Sequence, residues 1–211
     1  MVADAHTTLH LVDEDSAKRR QILSGASKVF MDLGFDGASM GEIARAAGVS
    51  KGTLYVYFAD KSRLFEAIVE QEMLDQKKVD FNFDPQRDVA TTLRQFGQAY
   101  IKLLCRPGGG SAIRTVMSIA ERMPDVGRKY YEHVLENTIN RLAAYLEVRV
   151  KKNEVAIPDC QLAASQFMNM CQASLFLPFI FQAAPPPSTE RMAQVVESAA
   201  QMFLAGYRKA G

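Results

Sequence analysis

Residues 39–61 read SMGEIARAAGVSKGTLYVYFADK, and this stretch decides the fold. Ser39 is placed to cap a helix, with Glu42 three residues on completing a capping box. The apolar positions Met40, Ile43, Ala44 and Ala47 then fall on one helical face. Ala46-Ala47-Gly48 is small enough to let a neighbouring helix approach, and Gly48 supplies the positive φ of a sharp turn. Ser50 caps the next helix, with Val49 before it directed back to the core. In that helix Leu54 and Phe58, four apart, mark the inner face. Lys51, Thr53, Tyr55, Val56 and Tyr57 mark the outer one. Two short helices joined by a glycine turn predict a helix-turn-helix.

Outward from this unit the pattern stays helical. Ile22, Leu23, Ala26, Val29, Phe30 and Leu33 predict a helix over 17–33, ended by Gly34. Asp60 caps a helix carrying Leu64, Phe65, Ile68 and Val69 and running to about Lys78. Val89, Leu93, Phe96, Tyr100 and Leu104 mark another, stopped by Pro107 and three glycines. A shorter one spans about 111–122. The next carries Tyr130, Val134, Leu135, Ile139, Leu142 and Leu146. Asp159 caps a long segment through Phe181 that Pro178 is expected to kink or shorten. Ser188, after three prolines, caps a last helix with Val195, Val196, Ala199, Met202 and Phe203. The expectation is an all-α chain of about nine helices: a flexible leader over 1–16, a three-helix head over 17–64 and a helical bundle over 65–211.

The 211 residues are 48% hydrophobic and 23% charged, an ordinary soluble profile. No run approaches the roughly 20 apolar residues that span a bilayer, so no membrane partner is expected. The opening MVADAHTTLHLVDEDSAKRR lacks the apolar core of a secretion signal. Cys105, Cys160 and Cys171 are odd in number and set among apolar residues, which reads as buried thiols of a cytoplasmic protein. His6, His10 and His133 make no metal-binding spacing, and no catalytic motif occurs, so neither metal, cofactor nor enzymatic activity is expected. The net charge of +1 is uneven. Residues 1–16 hold four acids and no Lys or Arg, whereas residues 17–61 hold seven basic residues against four acidic. Positive charge therefore gathers around the motif.

The outer face of residues 50–58 has the chemistry of a nucleic-acid reader. Thr53 and Val56 offer methyl groups to thymine, and Lys51 suits guanine acceptors or a phosphate. Tyr55, Tyr57 and Lys61 are candidate phosphate donors, as are the N–H groups at Ser39, Met40 and Gly41. Gly52 leaves the backbone free to approach DNA. The residues alone leave three readings open: a DNA-binding head, a helical protein-interaction adaptor and an enzyme.

A resemblance narrows them. GFDGASMGEIA (34–44) followed by AAGVSKGTLYVYFADKSRLFEAIV (46–69) resembles the signature of TetR/AcrR-type transcriptional regulators. The body is similar to the AefR-like class through Arg114-Thr115-Val116-Met117, Glu121, Met123-Pro124, Tyr130-Tyr131, Asp159, Ala163-Ala164 and Gln166-Phe167. The resemblance implies a homodimer binding double-stranded DNA at an inverted-repeat operator, most often as a repressor, with a small-molecule effector in the body. By position it implies DNA contacts from Lys51, Gly52, Thr53, Tyr55, Val56 and Tyr57. It also implies a phosphate contact from Lys61 and another at Ser39, Met40 and Gly41. Tyr57 replaces the commonest histidine, and Gly41 replaces a longer polar residue.

In the body, Met117, Phe167, Met170 and Phe176 are candidate lining of an apolar effector cavity. Ala163 and Leu177, with Val195, Val196, Ala199, Met202 and Phe203 of the last helix, are the candidate dimer seam.

Overall fold

A computed structural model describes residues 5–77, 81, 83–106 and 109–208, and side chains within them except at 5–14, 72, 73, 75–77 and 109–112. The described residues are all-α. Helix α1 spans Ala5–Gly37, α2 Met40–Ala46, α3 Lys51–Tyr57 and α4 Lys61–Lys77. Then come α5 (Val89–Leu104), α6 (Gly109–Ile119) and α7 (Pro124–Tyr130). A π-helical stretch, Tyr131–Glu136, joins α7 to α8 (Asn137–Lys151). Helices α9 (Cys160–Gln172), α10 (Phe176–Ile180) and α11 (Thr189–Tyr207) complete the chain.

The local signals act as the sequence predicts. Ser39 Oγ accepts from the Glu42 N–H at 3.2 Å while Glu42 accepts from the Ser39 N–H at 3.0 Å. Ser50, Asp60, Asp88, Asp159 and Ser188 each accept from the backbone N–H three residues on. Gly34 and Gly48 take φ of 70° and 63°, a region closed to most side chains. At Gly34 the helical geometry of α1 breaks, as expected. Its start differs: the helix begins at Ala5, so the leader expected to be flexible is helical over 5–16. The segment after Asp159 also differs. It breaks at Ser174, whose φ is 56°, and not at Pro178. Pro178 lies in the first turn of α10, where its missing N–H had no intrahelical partner to lose.

The chain divides into two compact units, residues 1–74 with 111–127, and residues 75–110 with 128–211. This departs from the expected boundary at 64/65. Helix α4 belongs with the head down to Leu74 because Phe65 packs edge-on against Phe30 and Phe35 at 5.5 and 5.8 Å. Segment 111–127 joins the same unit, where Arg122 pairs with Asp36.

In the first unit α1 lies against the end of α2. A Cβ on Gly25 would sit 2.6 Å from both Cα and N of Ala47. Gln21 Nε2 donates to the Ala47 carbonyl at 2.6 Å, tying the turn to α1. In the second unit α5 packs against α9 and α11, and a Cβ on Gly97 would meet Val196 Cγ1 at 2.7 Å and Cys171 Sγ at 3.0 Å. Gly25→Ala should therefore destabilise the protein by about 2 kcal/mol, because the obstacle is backbone that cannot swing aside. A fall of several degrees in Tm by circular dichroism is the expected result; an unchanged Tm would refute the close approach.

Candidate nucleic-acid interface

Helix α3 has only seven residues and one fully buried side chain, Leu54. Phe58, just past its end, is buried beside it, with the Arg19 guanidinium 5.5 Å from its ring centroid. The opposite side faces solvent. Val56 is 83% exposed and Tyr55 53%, while Lys51 and Gly52 are also open. An exposed branched apolar side chain gains nothing from burial in this fold. Thr53 is half-buried; its hydroxyl pairs with Ser50 Oγ at 2.8 Å, which leaves the methyl as its outward chemistry.

Other candidates are engaged within the protein. The Ser39 N–H and hydroxyl both donate to Glu42, whose carboxyl these bonds hold below its usual value. Only Met40 and Gly41 remain of that N–H set. A Cβ on Gly41 would come within 2.8 Å of Cε of Lys51, whose flexible stem lies across α2 at this point. The Lys61 ammonium donates to the carbonyls of Phe35 at 2.7 Å, Ala38 at 3.2 Å and Asp36 at 3.3 Å, and lies 4.7 Å from the Phe35 ring centroid. It clamps the α1–α2 connection to the start of α4, so it is not presented as the free cation expected for a phosphate. Tyr57 Oη donates to Asp15 Oδ1 at 2.6 Å, and that bond pushes the phenol pKa up.

The body places the remaining candidates differently from expectation. Met117 is 68% exposed and belongs to the first unit, whereas Phe167, Met170 and Phe176 belong to the second. Phe167 is a core plug, 5.4 Å from the Phe203 ring and 6.3 Å from Phe96. Phe176 is buried and Met170 half-buried. Of the expected seam, Ala163, Val196, Ala199 and Phe203 are buried within the chain itself and cannot meet a partner. Val195 is half-buried, and Leu177 and Met202 stand 62% and 56% exposed. Cys105 and Cys171 are buried thiols pushed to about 11 and about 12 by desolvation, whereas Cys160 is half-buried.

Arg149 is a residue the sequence reading missed. It is 3% exposed and grips Glu154 at 3.1 Å and the carbonyls of Arg87 and Asp84 at 3.0 and 3.3 Å. Its guanidinium lies 4.7 Å from the Tyr145 ring centroid. Arg149 Nε and Tyr145 Oη are buried with no hydrogen-bond partner among the described residues. The signal was available: Leu142, Tyr145, Leu146 and Arg149 follow the i, i+3, i+4, i+7 stripe of a buried face, with a cation at its last place.

Comparison with known proteins adds two family matches. Residues 22–68 match the bacterial regulatory proteins of the tetR family. Residues 91–209 match the C-terminal domain of AefR-like transcriptional repressors. The HTH-type transcriptional repressor Rv1474c of Mycobacterium tuberculosis is 29% identical over 69% of this chain and 72% of its own length. A solved TetR-family regulator from Mesorhizobium loti is 28% identical, with a TM-score of 0.78 over 91% of this chain and 97% of that one. A flavonoid-responsive regulator, FrrA, is 27% identical, with a TM-score of 0.74 over 93% of this chain and 100% of that one.

Gly52 separates folding from reading. A Cβ there would find only Ser50 Oγ, at an ordinary 3.7 Å, so nothing in the free protein requires glycine. Gly52→Ala should keep or slightly raise Tm, since alanine favours helix by up to about 1 kcal/mol. It should nevertheless weaken DNA binding measured by fluorescence anisotropy. Lys61→Ala should do the reverse first: lower Tm, and leave the salt dependence of any residual binding unchanged. A salt slope reduced by about one would restore a phosphate role for Lys61.

Proposed function

The chain belongs to the TetR family of transcriptional regulators, with an AefR-like C-terminal domain, and we propose that it represses transcription from an inverted-repeat operator until a small, largely apolar effector releases it. Members of this family are DNA-binding regulators and not enzymes, which sets aside the adaptor and enzyme readings. The observation that carries the proposal is Val56, held out in solvent on a short helix between Lys51 and Tyr57. Val56 and the Thr53 methyl would read thymine, Lys51 would meet guanine or a phosphate, and Tyr55 would fix the register on the backbone. Gly52 would let the helix enter the major groove closely.

The dimer seam proposed from the exposed faces differs from the one the apolar pattern predicts. It uses Leu162 and Met202, 53% and 56% exposed, with the small Ser198, Ala205 and Gly206 on the outer side of α11. A two-fold seam would set two α3 helices about 34–36 Å apart, one turn of DNA. The effector site proposed lies in the second unit, near Tyr145 and Arg149. There Phe83 stacks on Tyr145 at 5.2 Å and on Phe96 at 5.7 Å, beside the buried Arg149 Nε and Tyr145 hydroxyl, neither of which makes a hydrogen bond of good geometry. An aromatic molecule with an acceptor group suits that chemistry, and the likeness to a flavonoid-responsive regulator supports it. Release then follows by linkage, the effector favouring a state in which the two heads no longer match the operator spacing.

Selection from a random duplex library by the purified protein tests this directly. Enrichment of an inverted repeat is expected, with Lys51→Ala weakening its binding and lowering the salt slope by about one. Leu162→Asp with Met202→Asp should give a monomer by light scattering and lose the repeat. Failure to enrich any sequence, with Lys51→Ala inert, would overturn the proposal.

A further inference from the structure

Two residues of α1 reach the end of α3. Asp15 and Arg19, one turn apart on α1, meet Tyr57 and Phe58 respectively. Asp15 is exposed, and its carboxylate is the partner of the Tyr57 hydroxyl. It closes a segment, residues 1–16, that carries Asp4, Asp13, Glu14 and Asp15 and no Lys or Arg. We propose that Asp15 competes with the DNA backbone for Tyr57, so that this carboxylate on α1 restrains DNA binding from within the chain.

The chemistry is a conflict over one proton. A phenol donates a single hydrogen bond, and a carboxylate and a phosphate diester are acceptors of the same kind. Both are anions, so the phosphate that Tyr57 would hold cannot share the hydroxyl with Asp15 without repulsion at close range. In the free protein Tyr57 is held by a group with the charge of its ligand. DNA binding then requires the Asp15 side chain to turn away, which an exposed residue in the early part of α1 does without disturbing the core. The proposal rests on α3 being the DNA-facing helix, and the test must separate the two ideas.

The probe is a fluorescein-labelled 30-base-pair duplex of random sequence, titrated with full-length protein at low and moderate salt. Non-specific binding uses the same positive face and needs no knowledge of the operator. The variants are Asp15→Ala, Tyr57→Phe, the double variant and Lys51→Ala, each checked for an unchanged Tm. Asp15→Ala should bind about threefold to tenfold more tightly at low salt, with a smaller gain as salt rises. Tyr57→Phe should change little alone, yet remove much of the gain from the Asp15→Ala background, because only there is the phenol free. Asp15→Ala with unchanged or weaker binding, while Lys51→Ala weakens it, would overturn the competition and leave the DNA-facing reading intact. Lys51→Ala and Asp15→Ala both without effect would overturn both.

Discussion

Helix α3 is two turns long, and a helix of that length does not persist alone in water. The head is the set of contacts that holds it. Ser50 accepts from the free Thr53 N–H of its first turn, Leu54 and Phe58 sink its inner face, and the turn before it is fastened to α1 through Gln21 and Ala47. The bareness of Gly25 makes that fastening possible, since any side chain there would strike the Ala47 backbone. Because the inner face supplies the buried anchoring, Tyr55 and Val56 on the outer side are left in solvent and free to be chosen for what they read. The division is sharp: Leu54 is fully buried, and Val56, two residues later, is nearly all in solvent.

The same economy of space organises the second unit. Gly97 brings α5 against Val196 and Cys171, and Arg94 forms a two-pronged pair with Glu197 on the same helices. Once the Val196, Ala199 and Phe203 face of α11 is used in this way, only the outer face of α11 remains for another protein. Arg149 plays the comparable part for the connection before α5. A fully charged side chain is tolerated there because backbone carbonyls and Glu154 absorb most of its donors. Among the described residues, Arg149 Nε and Tyr145 Oη are the buried side-chain polar atoms that make no hydrogen bond of good geometry.

Where the sequence was legible, the determinants were local. Capping boxes, glycines at positive φ and the spacing of Leu54 and Phe58 depend on neighbours within four residues, so they read directly. The seam expectation failed because periodicity reports that a face is buried and not what buries it. Val196, Ala199 and Phe203 had the right spacing for a partner and are consumed by α5 and α9. The carbonyl contacts of Lys61 were illegible for a related reason: a lysine at a helix start looks solvent-bound until the Phe35 and Ala38 carbonyls, over twenty residues earlier, are folded beneath it. Segment 111–127 joins the head through contacts such as Arg122 with Asp36, eighty-six positions apart, and no local pattern announces such a pairing.

Charge explains why a reader of this kind would act in pairs. Phosphate neutralisation supplies most of the sequence-independent affinity for DNA. Here the residues around the motif carry a net charge of only +3, preceded by a segment of −4. Lys61, one of those cations, is spent on carbonyls, and Arg122 outside the motif on Asp36. A single head with so small a net positive charge would hold DNA weakly. Two heads fixed at one turn of spacing convert the second contact into an intramolecular one, raising overall affinity without new charge. On the proposed reading, that makes the distance between heads the quantity that controls binding. It also makes a small effector sufficient, because it has to alter a spacing and not displace a helix from DNA.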